Sequence, residues 1–91
     1  MVERKVKIVN RLGIHARPAT LFTKTASDFD SEIEVEKDGM VVDGKSILGL
    51  LMLVAGKGSE IIIRADGPDE EEALEALVKL VEDGFGEDKD P

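Results

Sequence analysis

Glu32-Ile33-Glu34-Val35-Glu36 alternates charged and apolar residues without a break, and Lys37-Asp38-Gly39 follows at once. A period of two puts Ile33 and Val35 on one face of a strand and the three glutamates on the other. Asp-Gly is a turn pair that lets a strand double back, so Met40-Val41-Val42 is predicted as the short returning strand. A hairpin of this kind keeps one face in water and needs a cover for the other. With 91 residues the chain has room for one small domain and a modest core. The remaining segments must therefore widen this sheet and cover it.

They read that way. Lys5-Val6-Lys7-Ile8 alternates and is predicted as a half-buried strand. Asn10 to Ile14 reads as a loop. From Ala16 onward, Ala19, Phe22, Ala26 and Phe29 recur at helical spacing. After the turn Asp43-Gly44-Lys45, Ser46 is a strong N-cap for a short helix through Leu53 that Gly56-Lys57-Gly58 ends, although Gly49 weakens it. Glu60-Ile61-Ile62-Ile63-Arg64 is apolar on both faces and is predicted as a central strand. Asp69, with Glu72 three residues on, resembles a capping box opening the last helix, with Ala73, Leu74, Leu77, Leu80 and Val81 as its buried stripe and Gly84 as its stop. The order is βαββαβα. The predicted fold class is α+β: an open-faced two-layer β-sandwich, a four-stranded antiparallel sheet covered on one face by three helices. Residues 1–88 are assigned to one domain. The chain after the last helix, Gly86-Glu87-Asp88-Lys89-Asp90-Pro91, reads as frayed, with 89–91 outside the domain.

Composition excludes several function classes. There is no cysteine, so disulfides and thiolate metal sites are out, and a small domain without disulfides fits a reducing cytoplasm. With one histidine as well, no metal cluster is expected. The opening Met1-Val2-Glu3-Arg4-Lys5 is followed by no apolar stretch of a secretion signal. The longest apolar run, Ile47 to Gly56, falls well short of the roughly 20 residues that span a bilayer, so membrane insertion is not expected. Net charge is −8, but residues 1–27 carry +5, residues 28–67 carry −5 and residues 68–91 carry −8. The basic first quarter holds the only histidine. It is either solvated charge or a docking face for acidic partners or phosphate. Nucleic acid is not expected, because the overall charge has the wrong sign and the only aromatic residues are three phenylalanines.

Gly13-Ile14-His15-Ala16-Arg17-Pro18-Ala19 is the most informative stretch. Proline is tolerated only in the first turn of a helix, so Pro18 places His15 at or next to the N-cap. The first N–H groups of a helix lack internal partners, carry partial positive charge and form a ready anion site. A phosphate on the imidazole would lie against them near Ala16 and Pro18, and Arg17 could add a guanidinium fork. Neutral imidazole is a good nucleophile, and its phosphoramidate is labile enough to be passed on. A lone histidine beside a loop is more often a surface or capping residue, and spacing alone does not separate these readings. No nucleotide loop, second histidine or cysteine supports a stand-alone enzyme. The carboxylates from Asp69 to Glu72 are read as dipole partners of their helix rather than as metal ligands.

Leu12-Gly13-Ile14-His15-Ala16-Arg17-Pro18-Ala19 resembles the phosphohistidine signature of the HPr family, the histidine-containing phosphocarriers of the bacterial phosphoenolpyruvate:sugar phosphotransferase system. Lys45-Ser46-Ile47-Leu48-Gly49-Leu50 resembles that family's regulatory serine segment. Lys57-Gly58-Ser59-Glu60-Ile61 and Gly67-Pro68-Asp69-Glu70 resemble its fourth strand and last helix start. The likeness extends over roughly residues 2–88. It implies a carrier rather than an enzyme, with no cofactor. His15 would take a phosphoryl group from phospho-enzyme I, on Nδ1, with phosphoenolpyruvate as the original donor, and pass it to an enzyme IIA. Arg17 would position the group. The resemblance also implies phosphorylation of Ser46 by a kinase/phosphorylase, with Ile47, Leu48 and Leu51 as partner surface, at least one of them also core, and a catabolite-control transcription factor as a further partner. A carrier must free its active face for successive partners, so a cytoplasmic monomer is expected.

Two features depart from the sugar branch. Leu48 stands where methionine is common, a change that keeps an apolar contact. Leu50-Leu51-Met52-Leu53 and Asp83-Gly84-Phe85-Gly86-Glu87-Asp88 look closer to the nitrogen-related branch, which uses the same histidine mainly to regulate. The alternative reading is therefore a regulatory interaction module of that branch or a catabolite-control co-effector. A ligand-binding sandwich with an accidental motif is the third.

Overall fold

The computed structural model describes residues 1–87. Strand β1 (Val2–Lys7) leads to helix α1 (Ala16–Ser27), then to the hairpin β2 (Glu32–Lys37) and β3 (Met40–Asp43). Helix α2 (Ile47–Met52), strand β4 (Glu60–Asp66) and helix α3 (Glu70–Glu82) follow, and a 3-10 turn closes at Gly84–Gly86. The sheet order is β1-β4-β2-β3, antiparallel throughout. This is the open-faced βαββαβα sandwich that the sequence predicts.

The hairpin turns as its residues require. Asp38 and Gly39 both take positive φ, 52° and 87°, the two-residue geometry whose twist matches that of the flanking strands. β4 is central, pairing with β1 on one side and β2 on the other, as its double-sided apolarity predicts. Ile61, Ile63 and Ala65 enter the core with Val6, Ile33 and Val35. On the open face, Arg64 of β4 donates to Glu3 of β1 at 2.8 Å and to Glu36 of β2 at 2.7 Å, so charge pairs tie the three strands where no helix covers them.

Phe22, Ala19 and Ala26 of α1 and Leu77, Ala73 and Val81 of α3 are fully buried beneath that cover. α1 lies against α2 and α3, while α3 covers β1 and β4. Four expectations change. α1 ends at Ser27, so Phe29 packs from the following loop rather than from the helix stripe. α2 stops at Met52, before the glycines, because the chain turns at Val54 with φ 49°. The predicted capping box is absent. Asp69 is the N-cap of α3, but its carboxylate accepts from the Asp30 N–H at 2.9 Å, the Ser31 N–H at 3.0 Å and the Ser31 hydroxyl, and does not cap its own helix. Finally, the chain beyond α3 packs: Phe85 is buried and Gly86 and Glu87 fold back on the domain, because a free aromatic surface is better covered than left in water. The predicted frayed residues 88–91 lie outside the described residues.

Candidate functional site

The start of α1 is built by a tight loop. Gly13 takes φ 69°, and a Cβ there would collide with the carbonyl oxygen of Ala55. That close approach lets the Ile14 N–H donate to the Ala55 carbonyl at 2.9 Å, which fixes the residue before His15 to the segment after α2. Ile14 is buried. His15 is the N-cap in extended backbone, with its carbonyl accepting from the Ala19 N–H at 2.9 Å. Its side chain does not cap the helix, and the first turn holds no acid. The ring therefore stands beside helix N–H groups rather than consuming them.

Each predicted residue of this turn has a distinct place. Ala16 and Arg17 are exposed and their N–H groups belong to the unsatisfied first turn. Pro18 is fully buried and has no N–H, so it anchors the helix start and offers an anion no donor. Arg17 makes no hydrogen bond or ion pair among the described residues, which leaves its guanidinium unengaged two residues after the histidine. Arg17 lines a shallow trough with Ala16, Thr20, Leu21 and Lys24.

Two site residues escaped the sequence reading. Glu87 places both carboxylate oxygens on His15 Nε2, at 3.1 and 3.0 Å. Asn10, itself buried, donates from Nδ2 to Glu87 at 3.0 Å and to the Gly13 carbonyl at 2.8 Å. One asparagine thus ties the loop before the helix to the carboxylate behind the ring. Gly84-Phe85-Gly86 was the available signal: an aromatic residue between glycines marks a turn returning to a core. Its conformation bears this out, with φ of 63°, 57° and 75° in succession.

Ser46 is the N-cap of α2, and its hydroxyl accepts from the Gly49 N–H at 3.0 Å. Gly49 is accommodated because a Cβ there would press on Val42 and the Ser46 hydroxyl. Ile47 and Leu48 are exposed, Leu48 to 70%, while Leu51 is half-buried against the core. The hydrogen bond from Ile14 to Ala55 ties the segment after α2 to the histidine loop, and α2 itself packs on α1. The basic first quarter is not one patch. Arg17 and Lys24 lie along α1, whereas Lys5 and Lys7 lie on β1, with Lys7 beside Lys37 and Glu60. Among the described residues, no group of three His, Cys, Asp or Glu could hold a metal, and no helix is long and apolar enough to cross a membrane.

Comparisons with known proteins agree on this architecture. Residues 2–83 match the PTS-HPr family, described as "PTS HPr component phosphorylation site". A phosphocarrier protein HPr of Neisseria meningitidis is 49% identical over 87 residues, 96% of this chain and 98% of that protein. The crystal structure of an HPr from Thermoanaerobacter tengcongensis superposes with a TM-score of 0.93 at 50% identity, over 97% of this chain and 99% of that one. A crystal structure described as an HPr dimer from the same organism gives 0.77 at 50% identity, over 96% and 100%. The Bacillus subtilis catabolite repression protein Crh, described as a swapped dimer, gives 0.75 at 44% identity, over 92% and 97%.

Proposed function

The chain belongs to the PTS-HPr family of phosphocarriers, which are carriers rather than stand-alone enzymes, and from that premise we propose that His15 accepts a phosphoryl group from phospho-enzyme I and delivers it to an enzyme IIA. The observation that carries this is the placing of the one histidine at an uncapped helix start with no acid in the first turn and an Arg17 guanidinium that has no partner among the described residues. Incoming phosphate meets the N–H groups of Ala16 and Arg17 and the positive end of α1. The guanidinium of Arg17 engages its oxygens in a fork. Both act on a group held at an exposed site, so they steady it without trapping it. The exposed apolar residues Ile47 and Leu48, with Leu51 behind them, give partners a surface beside the ring.

Ser46 adds regulation to this reading. The Crh relative is described by catabolite repression, and Ser46 here is half-buried at the edge of the same apolar face. A phosphate added by a kinase/phosphorylase would put charge beside Ile47 and Leu48, weakening docking of transport partners and recruiting a catabolite-control transcription factor. The carrier works in the cytoplasm as a single copy, and light scattering should give the mass of one chain. A stable dimer would contradict that last statement.

The test uses purified protein, enzyme I and labelled phosphoenolpyruvate, beside His15→Ala. Acid-labile, base-stable label on the wild type and none on the variant is expected. Addition of a sugar-type enzyme IIA should drain it, and phosphopeptide mapping of protein from cells should find Ser46. Absence of label, with enzyme I active on another carrier, overturns the carrier reading in favour of a regulatory interaction module such as a catabolite-control co-effector. Label retained in His15→Ala would reduce the motif to an accident.

A further inference from the structure

The carboxylate of Glu87 reaches His15 from the side away from the reacting nitrogen, and this arrangement has a consequence for the proton on the ring. A carboxylate can only accept hydrogen bonds, so a ring nitrogen 3.0 and 3.1 Å from its two oxygens must be the one that carries hydrogen. We propose that Glu87, held by Asn10, is a positioning residue that fixes the neutral His15 ring as the Nε2–H tautomer and keeps that proton in place throughout phosphoryl transfer. This deepens the carrier reading above and rests on it.

The geometry supports each part. Nε2–H donates to Glu87, so the lone pair of the neutral ring lies on Nδ1, which makes no hydrogen bond among the described residues. Glu87 is itself restrained, because its side chain is only 16% exposed and accepts from the Asn10 amide at 3.0 Å. Asn10 in turn holds the Gly13 carbonyl, two residues before the histidine, so ring and loop are tied to one buried side chain. Phe85, buried just before Glu87, pins the backbone that delivers the carboxylate. The arrangement is a carboxylate–imidazole pair of the kind that fixes a tautomer and steadies an imidazolium in nucleophilic sites.

The transfer step then balances without moving a proton. The Nδ1 lone pair forms a new N–P bond as the N–P bond of the phosphohistidine donor breaks, and the donor nitrogen keeps that electron pair. Nε2 retains its hydrogen, so the phosphorylated ring is a cation, and its positive charge faces the Glu87 carboxylate. When the group leaves for the next nitrogen nucleophile, the N–P electron pair returns to Nδ1. The neutral Nε2–H ring is restored, ready for another cycle. Without Glu87 the neutral ring would divide between two tautomers, one of which has its lone pair on the wrong nitrogen.

The experiment records two-bond proton–nitrogen NMR spectra of nitrogen-15-labelled wild type, Glu87→Ala and Glu87→Gln with the ring neutral. It then measures His15 phosphorylation in each by phospho-enzyme I and by phosphoramidate, a small donor that needs no protein docking. Wild type should show the Nε2–H tautomer alone and Glu87→Ala a mixture. Phosphorylation of Glu87→Ala should slow about tenfold with both donors, the weight of one charge-assisted hydrogen bond, while its melting curve stays near that of the wild type. Glu87→Gln, which keeps the size but not the charge, should also be slow. A mixed wild-type tautomer, an unchanged tautomer in Glu87→Ala, or rates within twofold of wild type for both variants would overturn the assignment. Failure of the carrier reading looks different: no label reaches wild-type His15 from either donor, while the tautomer measurement, which needs no donor, still decides the role of Glu87.

Discussion

At the N-terminus of α1 stands an imidazole, with no acid in the first turn and no side-chain cap; at that of α3 stand Asp69, Glu70, Glu71 and Glu72. Both helices open with unsatisfied N–H groups, one fewer on α1 because Pro18 has none, and with the same partial positive charge. α3 sets its own anions beside that positive end, although none of them caps a first-turn N–H. Glu70 reaches back to accept from the Gly67 N–H at 3.1 Å, and Asp69 binds the loop at Asp30 and Ser31. α2 lies between these extremes, closed by the neutral hydroxyl of Ser46. A helix end that carries its own carboxylates has its dipole already complemented and gains stability from it. One that lacks them leaves room for an anion that comes and goes. On the proposed reading, the difference separates a structural helix start from a functional one in the same small domain.

That contrast can be broken by exchange. The largest effect is expected from Ala16→Glu, which gives α1 the kind of acid that opens α3. Phosphorylation of His15 should fall roughly tenfold through like-charge repulsion at close range. The helix itself should gain about 0.5 kcal/mol from the dipole. Labelling rates and urea melts measure the two effects separately, and an unchanged rate would mean that phosphate does not use this helix end.

The next effect concerns α3 and depends on pH. Hydrogen bonds from the Ser31 hydroxyl and then the Asp30 N–H hold the Asp69 carboxyl below its ordinary value. Its contribution to stability is therefore full above the ordinary aspartate range near ~3.9 and is lost as pH falls through the lower folded value. Asp69→Asn should lower the melting temperature at neutral pH and lose less than wild type between about pH 4 and pH 2. Parallel melting curves across that window would show that the carboxylate is not what joins α3 to the Ser31 loop. The smallest effect is at α2. Ser46→Ala removes its only side-chain cap and should cost about 1 kcal/mol in urea unfolding, and no loss would mean that packing alone sets the start of that short helix.

Much of this was legible in local sequence. Alternation gave β2, Asp38-Gly39 gave the hairpin, and a double-sided apolar run marked β4 as central. Pro18 located the start of α1, and with it His15 and Arg17. The failures share a cause. Phe29 has the spacing of the helix stripe but packs after the helix has ended, because its contacts come from the fold and not from the period. α2 ends at Met52 because the chain turns at Val54, a β-branched residue in a left-handed conformation that no propensity predicts. Asp69 has the spacing of a capping box, yet the Ser31 loop competes for the same carboxylate and wins.

The sequence by itself determined what lies within one element or one turn: which strands have a wet face, where the helices begin, and that the one histidine stands at a helix start. Only the tertiary structure decided what joins residues far apart in the chain. Asn10, His15 and Glu87 are brought together across a separation of 77 positions. Burying Phe85 is what turns the chain back to deliver that carboxylate. Periodicity is a property of neighbours, whereas a hydrogen bond between distant residues exists only after the core has closed and fixed the distance between them.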